Sequence, residues 1–206
     1  MLIYSVIRIS DFSDSKLEYL GNKISAHFKS DSDKQRKESV SGRILLTHML
    51  KEYFSLTDFY VEYSETGKPY LSGGNLYFNI SHCDDYVLCV CGSDNVGCDI
   101  ETVKPYNENV ARRFFTENEY KALSESKESD VDFIRMWTLK ESALKFSGDG
   151  LSGGLDFWDF SRFYKEESFS LDSLRFNCRR YGSNIISFCS TCDEIVEVKT
   201  DINKIQ

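Results

Sequence analysis

The residues of this chain best suited to chemistry lie in its middle. Gly97-Cys98-Asp99-Ile100-Glu101 reads as a strand, and in a strand residues two apart share a face. Asp99 and Glu101 would stand side by side, and like charges that close repel unless a cation lies between them or one is protonated. An all-oxygen ligand set suits Mg²⁺; a solvated strand end accounts for the same pair. Trp137 to Lys145 reads as helix, with Glu141 and Lys145 one turn apart beside an apolar stripe of Phe133, Trp137 and Leu144. There Glu141 can complete an acidic triad and Lys145 can neutralise a phosphate. The plainer alternative is a surface i,i+4 ion pair.

Two further signals accompany these. Phe78-Asn79-Ile80-Ser81-His82 sets a serine beside a histidine. Neighbours on a strand point to opposite faces, which argues against a nucleophile–base pair. His82 can instead donate to a phosphate or sit satisfied in the core. Gly67-Lys68-Pro69 forms a turn with Lys68 at its tip. Arg36, Ser39 and Arg43 occupy the start of a helix, where phosphate binding is physically easy.

The elements that must carry these residues follow from periodicity. A strand at Met1–Ile9 precedes a helix marked by Leu17, Leu20, Ile24 and Phe28, then a second helix over Arg36–Phe54. A strand at Phe59–Tyr63 is followed by strands at 76–81, 86–91 and 96–101. Gly92-Ser93-Asp94-Asn95 reads as a hairpin turn between the last two. Helices are predicted at 109–115, after a capping box at Thr116–Glu119, and over Asp130–Phe146 with Gly148 and Gly150 at its end. Strands return from Phe157 to Val198. Without a strict βαβ rhythm the class is α+β, and a boundary at 95/96 gives two similar halves, 1–95 and 96–206.

Composition sets the limits. Hydrophobic residues make up 41% of 206, enough for a packed core. A net charge of −8 opposes nucleic acid and anionic membranes, so an anionic ligand needs a local cationic site. No apolar run reaches membrane-spanning length and the N-terminal stretch lacks signal-peptide character, so a soluble, cytoplasmic protein is expected. The seven cysteines lack the paired spacing of a zinc site and read as apolar filler in a reducing compartment.

Taken in order, Gly-Lys-Pro, Phe-Asn-Ile-Ser-His, Gly-Cys-Asp-Ile-Glu, Arg-Phe-Phe-Thr-Glu-Asn-Glu-Tyr and Trp-Thr-Leu-Lys-Glu-Ser-Ala-Leu-Lys resemble the 4′-phosphopantetheinyl transferases of the surfactin-synthetase-activating type, from about Arg36 to Leu151. The resemblance implies a pseudodimer of two α/β halves with coenzyme A in the cleft between them. It implies Mg²⁺, with Mn²⁺ as a substitute, on Asp99, Glu101 and Glu141, and Lys145 on the pyrophosphate. It places Lys68, Ser81 and His82 on the nucleotide and phosphates and Ser39 near the 3′-phosphate, with Arg36 and Arg43 less securely aligned. His82 is followed by Cys83, where the family has a small polar residue. The implied reaction moves phosphopantetheine from coenzyme A to the serine of an acyl or peptidyl carrier protein, releasing 3′,5′-ADP, with Glu141 taking the serine proton. A monomer is expected. Lys104, Arg112, Arg113, Phe114, Phe115, Tyr120 and Lys121 form the expected docking segment for an acidic carrier. The competing readings are another Mg²⁺-dependent phosphoryl-transfer enzyme and a non-catalytic module that binds coenzyme A or a carrier protein.

Overall fold

The computed structural model describes residues 1–24, 32–149 and 154–205. Phe28 of the first apolar series and Gly150 beyond the long helix lie outside the described residues. In chain order the elements are β1 (Leu2–Arg8), α1 (Asp14–Lys23), α2 (Asp33–Phe54), β2 (Val61–Tyr63), β3 (Pro69–Leu71), β4 (Tyr77–Cys83), β5 (Tyr86–Gly92) and β6 (Val96–Thr102). Then come α3 (Glu108–Phe114), α4 (Glu117–Ser124), α5 (Ser129–Ser147), β7 (Ser168–Leu171), β8 (Leu174–Tyr181), β9 (Asn184–Ser190) and β10 (Ile195–Glu197). The class is mixed α+β.

Local chemistry explains the helix ends. Ser32 accepts from the Gln35 amide and so starts α2 three residues before the sequence pattern does. Thr116 and Glu119 close the capping box that opens α4. The long helix α5 stops at Gly148, whose φ of +80° suits glycine.

Two four-stranded sheets carry the rest, in the orders β10-β1-β5-β4 and β6-β9-β8-β7. Each contains a strand paired antiparallel with the second strand of a later hairpin: β1 with β5 of the β4–β5 hairpin, and β6 with β9 of the β8–β9 hairpin. Helix α2 covers the first sheet, burying Ile44, Leu45, Met49 and Leu50 against Ile3, Ile7 and Val87. Helix α5 covers the second, burying Met136, Leu139 and Ala143 with Phe176, Cys178 and Ile185. A third cluster draws Leu2, Tyr4, Leu88 and Val90 from one sheet and Val96, Cys98, Ile100 and Phe188 from the other.

The hairpin expected between β5 and β6 does not form. The turn chemistry of residues 92–95 is real, but it passes the chain from the first sheet to the second, where β6 pairs with β9. The 95/96 division falls at this crossing. The chain then returns: β10 pairs in parallel with β1, and Val198, Ile202 and Ile205 pack into the core beneath α2.

The approach of β6 to α5 is very close. A Cβ on Gly97 would lie 2.1 Å from the Ser142 carbonyl oxygen and 2.3 Å from the Phe146 nitrogen. Only glycine fits there, and this contact brings Asp99 within reach of the helix.

Candidate active site

Strands β4 and β6 run alongside one another in the same sense and are tied by side chains. Asn79 Oδ1 accepts from the Cys98 amide at 2.9 Å, Ser81 Oγ donates to Asp99 Oδ1 at 2.7 Å, and Cys83 Sγ donates to Glu101 Oε2 at 3.0 Å. Helix α5 crosses this seam and sends Lys145 into it. The ammonium lies 2.7 Å from Asp99 Oδ1 and donates to Ser81 Oγ at 3.0 Å.

Around this seam Ser81, His82, Asp99, Glu101, Trp137, Glu141 and Lys145 line a cavity of about 360 Å³. A neighbouring cavity of about 310 Å³ shares Ile80, Glu141 and Lys145 and adds Gly67, Lys68, Pro69 and Asn79. Residues 67–69, 79–82, 99–101 and 137–145 of the sequence motifs thus meet at two adjoining cavities, while the Arg113–Tyr120 motif lines neither.

Lys145 does not close a surface i,i+4 pair with Glu141. Its side chain is 29% exposed and is directed to Asp99, which is 5% exposed. Burial presses the ammonium toward its neutral form, but the charges of Asp99 and Glu141 and the hydrogen bond that the ammonium donates to Asp99 outweigh it, holding Lys145 above the ordinary lysine value. The carboxyls of Glu101 and Glu141 are both pushed up, first by burial and then by the charge of Asp99. Three carboxyls and one ammonium thus share a poorly solvated space with negative charge in excess.

The fit to a divalent cation rests on one atom. Ser81 and Lys145 both engage Asp99 Oδ1, while Asp99 Oδ2 is buried with no hydrogen-bond partner. A buried carboxylate oxygen without a donor is costly, and an oxygen-seeking cation would satisfy it. The three carboxylates offer only oxygen, as Mg²⁺ prefers. Among the described residues no group of three or more His, Cys, Asp or Glu is drawn together closely enough to hold a metal ion as they stand; Lys145 already occupies one oxygen of the central carboxylate.

The remaining predicted residues are placed unevenly. Ser81 is buried and His82 is half exposed, diverging as their strand positions require. His82 Nδ1 lies 3.5 Å from Glu38 Oε2 on α2. Glu38 is nearly buried, and an acidic residue on an otherwise polar helix start gave no sequence signal for this contact. Arg36 pairs with Asp33 on its own helix at 2.8 Å. Arg43 lies over the Phe59 ring, lining a different depression with Lys51 and Leu56. Neither arginine, nor Ser39, lines the two cavities. Lys68 turns inward from its loop, donating to the Phe146 carbonyl at 2.8 Å and Asn95 Oδ1 at 3.0 Å, and burial lowers its pKa.

Of the expected docking segment, Phe115 is buried in the core and Phe114 packs edge-on against Trp137. Arg112 is held by Glu108 at 2.7 Å and stacks over Tyr120. Lys140, within the same helical motif as Glu141, is fully buried, pairs with Glu119 at 2.8 Å and donates to the carbonyls of Leu155 and Trp158. It secures α4 and the segment after α5 to the site helix; in the sequence it reads as one more charged residue.

All seven cysteines are free thiols, six of them buried and Cys192 partly exposed. Burial and the hydrogen bond to Glu101 push the Cys83 thiol up to about 11, which keeps it protonated near neutrality and makes it poorly suited to act as a nucleophile. Cys83→Ser is expected to retain activity within about tenfold, since a serine hydroxyl can keep the weak hydrogen bonds that the thiol makes with Glu101 and Thr102. Intact-mass analysis after iodoacetamide should show Cys192 alkylated before any other cysteine. An inactive Cys83→Ser variant with normal coenzyme A binding would assign this thiol a chemical role.

A family model described as the 4′-phosphopantetheinyl transferase superfamily matches residues 95–191, which contain Asp99, Glu101, Glu141 and Lys145. The chain is similar to the 4′-phosphopantetheinyl transferase ffp of Bacillus subtilis, 34% identical over 168 residues covering 76% of this chain and 74% of that protein. It is similar to Sfp of Bacillus subtilis (strain 168), 35% identical over 123 residues covering 57% of this chain and 55% of Sfp. The match to HetI of Nostoc sp. (strain PCC 7120 / SAG 25.82 / UTEX 2576) is 33% identical over 128 residues, covering 57% of this chain and 54% of HetI. The matched regions thus span about three quarters of ffp and about half the length of the other two. Sequence likeness at this level, centred on the strand and helix that build the cavity, shows that the chain belongs to the 4′-phosphopantetheinyl transferase superfamily, among the relatives of the Sfp type.

Proposed function

We propose that this protein transfers the phosphopantetheine arm of coenzyme A to a serine hydroxyl of an acyl or peptidyl carrier protein. The observation that carries this reading is the convergence of Asp99, Glu101, Glu141, Lys145, Ser81 and His82 on one cavity, joined to a second lined by the Gly67–Pro69 loop. Coenzyme A would lie across both cavities as a pseudodimer's cleft ligand, the halves being 1–95 and 96–206, with the β10 segment strapped back onto the first.

Asp99, Glu101 and Glu141 would hold Mg²⁺, which when bound offsets charge on the pyrophosphate oxygens. Lys145, already poised beside Asp99, neutralises the same oxygens as they gain charge. His82, half exposed at the cavity rim, donates to a phosphate. Glu141 lines both cavities, and its raised pKa suits a proton acceptor, so it receives the serine proton directly or through water. The serine oxygen bonds to the phosphorus that bears pantetheine, the bond from that phosphorus to the bridging oxygen breaks, and 3′,5′-ADP leaves with the bond's electrons. Phe114 on Trp137 joins the cavity wall to the α3 surface bearing Arg112 and Arg113, which supports carrier docking there.

Incubation with coenzyme A, Mg²⁺ and a panel of apo-carrier proteins, followed by intact mass, tests this directly. The expected result is a phosphopantetheine adduct on a carrier and stoichiometric 3′,5′-ADP. Coenzyme A binding without transfer to any carrier would favour the non-catalytic module.

A further inference from the structure

We infer that Lys68, together with Asn95, is a positioning residue that holds the last turn of α5, and through it Lys145 and Glu141, in register with β6. The inference rests on the transferase reading for its catalytic consequence and on hydrogen bonding alone for its structural part.

Three bonds form a closed set. Lys68 Nζ donates to the Phe146 carbonyl oxygen at 2.8 Å and to Asn95 Oδ1 at 3.0 Å, and Asn95 Nδ2 donates to the same Phe146 oxygen at 3.0 Å. Phe146 is the residue after Lys145 and lies in the final turn of a helix that ends at Ser147. Carbonyls of a last turn lack intrahelical donors, and the helix dipole favours a cation there. The side chains of Lys68 and Asn95 supply both donors and charge. The lysine stem also packs on the cap, since a Cβ on Gly148 would lie 3.1 Å from Lys68 Cδ.

The same turn is the one where Gly97 admits β6. The end of α5 is therefore held twice, by the β6 backbone and by the Lys68–Asn95 pair. The grip spans the fold: Lys68 precedes β3, 78 positions before Phe146, and Asn95 lies at the crossing between sheets. Two of the three ammonium donors are committed to Phe146 and Asn95, which leaves one for a ligand in the second cavity. Lys68 acts on the reaction through the helix, although its loop also lines the second cavity.

Lys68→Met, Lys68→Arg, Asn95→Ala and the Lys68→Met/Asn95→Ala double variant test this in the full chain. Hydrogen exchange is read without substrate at the last turn of α5, where the Gly148 amide donates to Leu144. Exchange there should accelerate about tenfold in each of Lys68→Met and Asn95→Ala, with elements remote from the site unchanged. The kcat should fall about tenfold with the KM for coenzyme A nearly constant, since the reacting groups are misplaced rather than removed. Lys68→Arg should recover most of both. The double variant should be little worse than either single one, because both donors serve one carbonyl. Unchanged exchange at α5 overturns the proposal, as does a raised KM for coenzyme A at constant kcat. If the wild type transfers nothing to any carrier, the transferase reading fails, while exchange and double-variant melting still decide whether the pair holds α5. Should Lys68→Met not fold, Asn95→Ala and Lys68→Arg carry the test.

Discussion

Asp99→Asn is expected to reduce transfer by about 10³-fold, the scale for losing a central group that stabilises transition-state charge. The side chain keeps its size, so a loss of this order would come from charge. Asp99 accepts from both Ser81 and Lys145, keeps its second oxygen buried and unpartnered, and lines the same cavity as Glu101 and Glu141. The amide cannot balance the ammonium. Breaking a buried pair costs about 3–5 kcal/mol, but Lys145 is 29% exposed and water can screen it. A loss of about 1–3 kcal/mol follows, or a fall of roughly 2–10 °C in melting temperature for a chain of this size. With its main electrostatic support gone, Lys145 should titrate lower, which reductive methylation and NMR can follow. Transfer at the wild-type rate would remove Asp99 from the mechanism.

Glu141→Gln should separate activity from stability. Transfer is expected to fall about 10²-fold or more through loss of the proton acceptor. At pH 7–8 the variant should nonetheless melt higher than the wild type. Burial and the neighbouring carboxylates raise the folded pKa of Glu141 above its ordinary 4.5. The folded chain then binds that proton more tightly than the unfolded chain. Its contribution is most favourable in acid and is lost as pH rises from 4.5 through the folded value. The advantage of the amide should vanish near pH 4. Millimolar Mg²⁺ should raise the melting temperature of the wild type more than that of the variant. A Glu141→Gln chain less stable at every pH would mean the carboxylate is satisfied where it stands.

The sequence displayed the reacting groups better than what holds them. Asp99 and Glu101 could be placed on one strand face, and Ser81 and His82 on opposite faces, because a strand's period is two. Capping chemistry marked α4 and the end of α5 for the same local reason. The 92–95 turn was equally legible, but not its outcome: a turn dictates a change of direction, whereas the place of β6 beside β9 follows from the apolar face that Val96, Cys98 and Ile100 turn toward Leu2, Tyr4, Leu88 and Val90 of the first sheet. The contacts of Lys68 with Phe146, Lys140 with Glu119 and His82 with Glu38 join residues 78, 21 and 44 positions apart. No local pattern encodes such pairs, so an inward-turned lysine looks the same in sequence as a solvated one.

The return of β10 to β1 bears on synthesis. Tyr4 OH donates to Glu197, 193 positions later, and the two strands pair in parallel. At about 5–20 residues per second, β1 waits roughly 10–40 s on the ribosome before that neighbour exists. Meanwhile β4 and β5 are already available, so the first sheet can assemble as three strands with one edge bare. Such an edge invites pairing with another nascent chain. The arrival of residues 195–205 pairs the Leu2–Tyr4 stretch of that edge and buries Ile205 in the core beneath α2, which makes completion of the early half a late event in the life of the polypeptide.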